Sequence, residues 1–144
     1  MPSVSDNGTL VYHIPPGGEL RQLVRVDRQG AVLDTVSEVQ EEMDFPAIAP
    51  DDTRVAVTAK SDRNIDIWVH RLDNGRKLRL TESQALDHFP SWAPSGDHVA
   101  FSSTRNTEGG IFYRRSDAQG LVRPLVVSET AWAPSWGRDN ALIY

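Results

Sequence analysis

Phe45-Pro46-Ala47-Ile48-Ala49-Pro50-Asp51-Asp52-Thr53-Arg54-Val55-Ala56-Val57 lies without a gap over Phe89-Pro90-Ser91-Trp92-Ala93-Pro94-Ser95-Gly96-Asp97-His98-Val99-Ala100-Phe101, at an offset of 44 positions. The same step carries Pro90 to Pro134 and Pro46 back to Pro2. Leu23, Ile67 and Ile111 keep the step too, each opening a run that closes on a turn: Asp27-Arg28-Gln29-Gly30, Asp73-Asn74-Gly75 and Asp117-Ala118-Gln119-Gly120. Four prolines and three apolar residues on one period define an internal repeat, and a repeat of this length decides the fold before any single strand does.

Within one unit the punctuation marks four strands. Pro90-Ser91-Trp92 is followed by Ala93-Pro94-Ser95-Gly96-Asp97, whose residues are those that turns require. Val99-Ala100-Phe101-Ser102-Ser103 is a β-branched and aromatic run that suits a buried strand. Past Gly109-Gly110 comes the alternating stretch Ile111-Phe112-Tyr113-Arg114, and then Leu121-Val122-Arg123-Pro124-Leu125-Val126, where Pro124 fits an edge strand that loses no ladder donor. Four short antiparallel strands repeated at this spacing read as the blade of an all-β propeller. The count gives about three and a half blades: residues 1–38, 39–82, 83–128 and a half-blade at 129–144.

Composition narrows the function. The net charge is −5, with Lys and Arg scattered, so the basic stripe that nucleic acid requires is missing. No run of eighteen apolar residues is present, which argues against insertion into a membrane as a helix. The opening Met1-Pro2-Ser3-Val4-Ser5-Asp6 has neither the basic nor the apolar region of a signal peptide, and the count of cysteines is 0, which excludes disulfides and thiolate metal sites.

The turns Ala49-Pro50-Asp51-Asp52 and Ala93-Pro94-Ser95-Gly96 resemble the Ser-Pro-Asp-Gly signature of TolB-like, WD40-like propeller repeats (PD40), and the flanking Phe89-Pro90-Ser91-Trp92, Asp66-Ile67-Trp68-Val69 and Leu78-Arg79-Leu80-Thr81 agree with that pattern. The stretch Val4-Ser5-Asp6-Asn7-Gly8-Thr9-Leu10-Val11-Tyr12, with Arg21 to Gly30 after it, is similar in style to the propeller region C-terminal to bacterial serine/threonine kinases. The resemblance implies a bacterial protein whose parents are periplasmic or extracytoplasmic. It also implies a non-catalytic module that binds a protein or peptide. The alternative is a gating or scaffold propeller of an enzyme: a prolyl-oligopeptidase-like hydrolase, a lyase, or a kinase-linked sensor.

The chemistry-bearing residues point the same way. His13, His70, His88 and His98 have spacings that fit no metal motif, and His70 and His98 are expected at surface or edge positions. No Gly-x-Ser-x-Gly elbow or kinase motif is present, so no catalytic residue, metal or cofactor is expected. Asp44 and Asp87-His88 precede the first strand of their blades, where propeller loops gather at the channel mouth. They read either as a polar rim for a partner or as acidic residues that hydrogen-bond blade to blade; the second is favoured because a repeat renews its own packing. Trp92 and Trp136 recur at the period and are expected between blades, whereas Trp132 does not recur and is the candidate for exposure. Arg114-Arg115 and Arg21 to Arg28 read as solvated faces. The binding candidates are therefore Asp44, Asp87, His88 and Trp132. An incomplete ring leaves sheet edges open, so self-association, with a dimer favoured, is expected to close it.

Overall fold

The computed structural model describes residues 3–4, 10–17 and 20–144. They form β-strands and turns: β1 (Ser3–Val4), β2 (Leu10–Gly17), β3 (Leu20–Val26) and β4 (Val32–Thr35) make the first sheet, joined by β5 (Gln40–Glu41). The second sheet is β6 (Met43–Ile48), β7 (Arg54–Ser61), β8 (Asn64–Arg71) and β9 (Lys77–Arg79). The third is β10 (Asp87–Trp92), β11 (His98–Ser103), β12 (Gly110–Arg115) and β13 (Arg123–Val127). A final hairpin pairs β14 (Ser135–Trp136) with β15 (Leu142–Ile143). Every pairing is antiparallel between chain neighbours, apart from β5, which follows position 38 yet hydrogen-bonds to β3 of the first sheet. Among the described residues no helix is long and apolar enough to cross a membrane.

The turn between the first two strands of a unit shows why the repeat is so regular. Asp52, Gly96 and Asn140 each donate a backbone N–H to the carbonyl of Ala49, Ala93 and Gly137, at 3.0, 2.8 and 3.0 Å. All three have positive φ, 55°, 71° and 65°. Gly, Asn and Asp are the residues that enter this left-handed region at least cost. In the second sheet the Asp51 carboxylate also accepts from the Thr53 N–H at 3.0 Å, closing an Asx turn. The turn survives changes of residue because each replacement keeps the one conformational requirement.

Both faces of β7 and β11 are buried, which is why Val55-Ala56-Val57 and Val99-Ala100-Phe101 are continuously apolar. Val55 and Val57 pack toward the first sheet with Leu23 and Met43. Ala56 packs the other way, with Ile67, Leu80, Trp92 and Phe101, against the third sheet. On β11, Val99 and Phe101 join that same cluster, and Ala100 faces Ile111, Ala131 and Trp136 toward the last hairpin. Successive residues of a strand point to opposite faces, so one run fills two seams. Full burial of a side chain such as Phe101 contributes about 2–3 kcal/mol.

Directional contacts set the spacing of the sheets. Trp92 donates its indole N–H to the Ala47 carbonyl at 2.8 Å, which places it between blades. Arg54 reaches across the same seam, donating to Ser116 Oγ at 2.9 Å and to the Gly96 carbonyl at 2.9 Å, with its guanidinium 4.7 Å from the centre of the Trp92 ring. Two blade-to-blade bonds near the channel are accepted by hydroxyls: Phe89 N–H donates to Thr58 Oγ1 at 3.2 Å, and Ala133 N–H to Ser102 Oγ at 2.9 Å. Thr58 and Ser102 are one period apart, so this is a repeated lock made by neutral groups.

Two expectations fail here. His70, expected at a surface or edge, is 2% exposed, because its strand β8 packs against the first sheet on that face. Arg114 is not a solvated residue of its strand: it donates to the Leu80 carbonyl at 2.7 Å and to the Gly120 carbonyl at 3.1 Å.

Candidate functional site at the channel end

The first strands of successive sheets are neighbours: β1 lies against β6, β6 against β10 and β10 against β14. They are therefore the inner strands, the ones that face the axis of a propeller. Near the start of β6 and β10 the ladder breaks in the same way. Asp44 pairs with Thr58 and Ala47 with Ala56, so one extra residue is accommodated on β6; His88–Ser102 and Ser91–Ala100 repeat this on β10. The break falls at Phe45-Pro46 and Phe89-Pro90, where proline has no N–H to give to the ladder. Phe45, Phe89 and Ala133 take positive φ there, 52°, 55° and 52°.

That bulge turns side chains of three blades toward one place. Phe45 and Phe89 have ring centroids 4.4 Å apart. Phe89 also lies 5.8 Å from the His88 ring and 5.9 Å, edge-on, from Trp132, and His88 lies 6.4 Å from Trp132. Phe89 is the hub of an aromatic arc that spans the inner strands. Trp132 is 40% exposed and both phenylalanines are half-buried, so the arc keeps an accessible surface. A left-handed bulky residue costs about 1–2 kcal/mol, and such strain gathers at functional positions. Ala133 has the strain without an aromatic ring, so Ala133→Gly should raise the unfolding free energy by about 1 kcal/mol, read as a shifted denaturant midpoint.

The four sequence candidates separate. Asp44, His88 and Trp132 occupy one equivalent position, 44 residues apart, so Trp132 does recur in place though not in residue type. Asp44 is ion-paired with Arg21 of β3 and half-buried. Burial holds the His88 imidazole below its ordinary range, against the pull of the Asp87 and Asp44 carboxylates, which leaves the ring neutral at pH 7. Asp87 does not belong with them. It is 0% exposed and points into its own blade, gripped by Arg105 Nη2 at 3.0 and 2.9 Å. Asp44 and Asp87-His88 also lie within their strands, not ahead of them, and they are not the repeated acidic pair that the sequence suggested. Phe45 and Phe89 were missed as site residues; the available signal was an aromatic residue immediately before the periodic proline.

The arc offers apolar area and two polar handles, the His88 imidazole and the Trp132 indole N–H. Among the described residues no three metal-ligating side chains converge. A profile of the TolB beta propeller domain (PD40) matches residues 1–144.

The chain belongs to the TolB beta propeller family. This TolB-like chain is 30% identical over 86 residues to the Tol-Pal system protein TolB of Alcanivorax borkumensis, a match covering 59% of the chain and 20% of that protein. It superimposes on the crystal structure of TolB from Acinetobacter baumannii with a TM-score of 0.80 at 17% identity, covering 99% of the chain and 37% of that structure. An oligogalacturonate lyase from Vibrio parahaemolyticus gives 0.67 at 16% identity, over 97% of the chain and 44% of the lyase. The acylaminoacyl peptidase of Pyrococcus horikoshii gives 0.62 at 11% identity, over 86% and 24%. These structural likenesses establish the propeller fold, and the TolB-like chain spans less than half the length of each of these proteins.

Proposed function

We propose that the chain is a non-catalytic TolB-like propeller module whose inner-strand ends bind a segment of a protein or peptide. The observation that carries this reading is the aromatic arc of Phe45, Phe89, His88 and Trp132, built from adjacent blades on strained backbone and left partly open. Aromatic residues dominate the energetics of protein recognition because they bury large areas at small entropic cost. Asp44 and Arg21, charged and partly exposed beside the arc, supply the polar rim that surrounds such a patch. The bacterial, extracytoplasmic setting implied by the family resemblance goes with this reading.

The test is a selection of displayed 12-residue peptides against the chain, followed by calorimetric titration of the tightest. Phe89→Ala is expected to weaken binding about tenfold or more, a loss of about 1.4 kcal/mol or more. Leu121→Ala, at a side chain 84% exposed on the β12–β13 connection, should change it less than about twofold. Equal effects of the two variants would overturn the assignment. Trp132→Ala serves as the second channel-end variant if Phe89→Ala lowers stability. Sedimentation equilibrium of the same samples tells whether the occupant can be a second copy of the chain.

A further inference from the structure

His70 occupies a position that the repeat fills in two other ways. One period earlier stands Val26, buried and apolar; one period later stands Arg114, bonded to the Leu80 and Gly120 carbonyls. Packing there is met by a hydrocarbon, or hydrogen bonding by a long donor. His70 does neither. It is 2% exposed, and both of its ring nitrogens lack a hydrogen-bond partner. A buried polar group left unpaired costs about 1–3 kcal/mol, and in a native protein it calls for a partner.

His70 lines a cavity of about 570 Å³ between the first and second sheets. Arg76 and Lys77 line the same cavity, with the carboxamides of Gln22, Gln40 and Asn74. Arg76 has no ion-pair partner among the described residues. Glu38 is the opposing carboxylate in the wall, and burial with the Lys77 charge holds the imidazole neutral, its pKa lowered to about 4. Two cations against one carboxylate leave one positive charge, which suits a monoanion better than a phosphate dianion. A planar carboxylate matches the guanidinium fork and the amide donors. The volume lies within the range of small-molecule sites.

We propose that this seam cavity binds a small organic carboxylate, seated on Arg76, with a polar group of the ligand satisfying His70. The inference goes beyond the channel-end reading and does not depend on it. The carboxylate can be a peptide C-terminus or a sugar acid, and the test separates them. The His70 imidazole is followed by ¹H–¹⁵N NMR in the full chain at pH 7, titrated with N-acetyl-Gly-Gly, its C-terminal amide, galacturonate and inorganic phosphate. One acid at least should shift the His70 signals saturably and the amide should not; whichever acid acts identifies the source. Arg76→Gln should weaken that binding about tenfold. His70→Val, which installs the residue of position 26, should do the same when binding is read on the backbone signals of Asn74 to Lys77. Failure of both acids, or binding indifferent to either substitution, overturns the proposal. Phosphate binding as tight as either acid overturns the choice of a carboxylate.

Discussion

Arg105→Ala is expected to destabilise the chain by about 3–5 kcal/mol, because it leaves the Asp87 carboxylate buried and uncompensated. The two Arg105 Nη2 contacts to Asp87, at 3.0 and 2.9 Å, are reinforced by Arg105 Nε to Ser103 Oγ at 2.7 Å. The guanidinium also sits 5.3 and 5.1 Å from the centres of the Phe101 and Phe112 rings, so the substitution removes packing from the third sheet as well. The seam concentrates charge: Asp66, also 0% exposed, is held by Arg79 at 2.6 Å, and burial raises its pKa, with the Asp87 charge adding to the rise. The double variant Asp87→Asn, Arg105→Met should recover more than half of the loss, since replacing both partners of a buried pair is far milder than removing one. Urea unfolding of the two variants measures this; equal midpoints for single and double variants would show that Asp87 tolerates solitude.

The second large effect is at His70 and depends on pH. Its pKa lies at about 4 in the folded chain against an ordinary 6.5, lowered first by burial and then by the Lys77 charge; Arg76 and Glu38 are the other charged groups facing the same cavity. The unfolded chain takes up this proton as pH falls through 6.5, and the folded chain does not until about 4. The group's contribution is therefore intact above pH 6.5, declines through the window, and has gone by about pH 4. The decline amounts to about 3 kcal/mol at 1.4 kcal/mol per pH unit. His70→Val should remove that slope and leave the rest of the acid limb, seen by comparing denaturant midpoints at pH 7 and pH 4.5. An unchanged slope in the variant would show that the imidazole is already paired or protonated.

The propeller was legible because its determinants repeat as residue types. Prolines at 46, 90 and 134 and apolar residues at 23, 67 and 111 each answer the same demand in each blade, so identity survives the period. The channel end was only half legible for the opposite reason. Asp44, His88 and Trp132 share one place with three unrelated side chains, and Trp132 looked solitary when matched by type. Asp87 and Asp44 looked like a repeated acid, yet they sit one register apart; in a strand that single step sends one into the blade and the other toward the rim. His70 misled because its strand alternates like a half-exposed one, and only the packing of the first sheet against it shows that both faces are covered.

Recognition at the inner-strand ends, as proposed, differs from strand addition along the outer edges, where β9 and β13 lie last in their sheets. Hydrogen–deuterium exchange of the chain with and without a selected peptide tests it most directly. Added protection is expected to centre on residues 42–46, 86–90 and 130–134, the three segments that carry the aromatic arc. Protection confined to Lys77–Arg79 or Arg123–Val127, with those three segments unchanged, would contradict it.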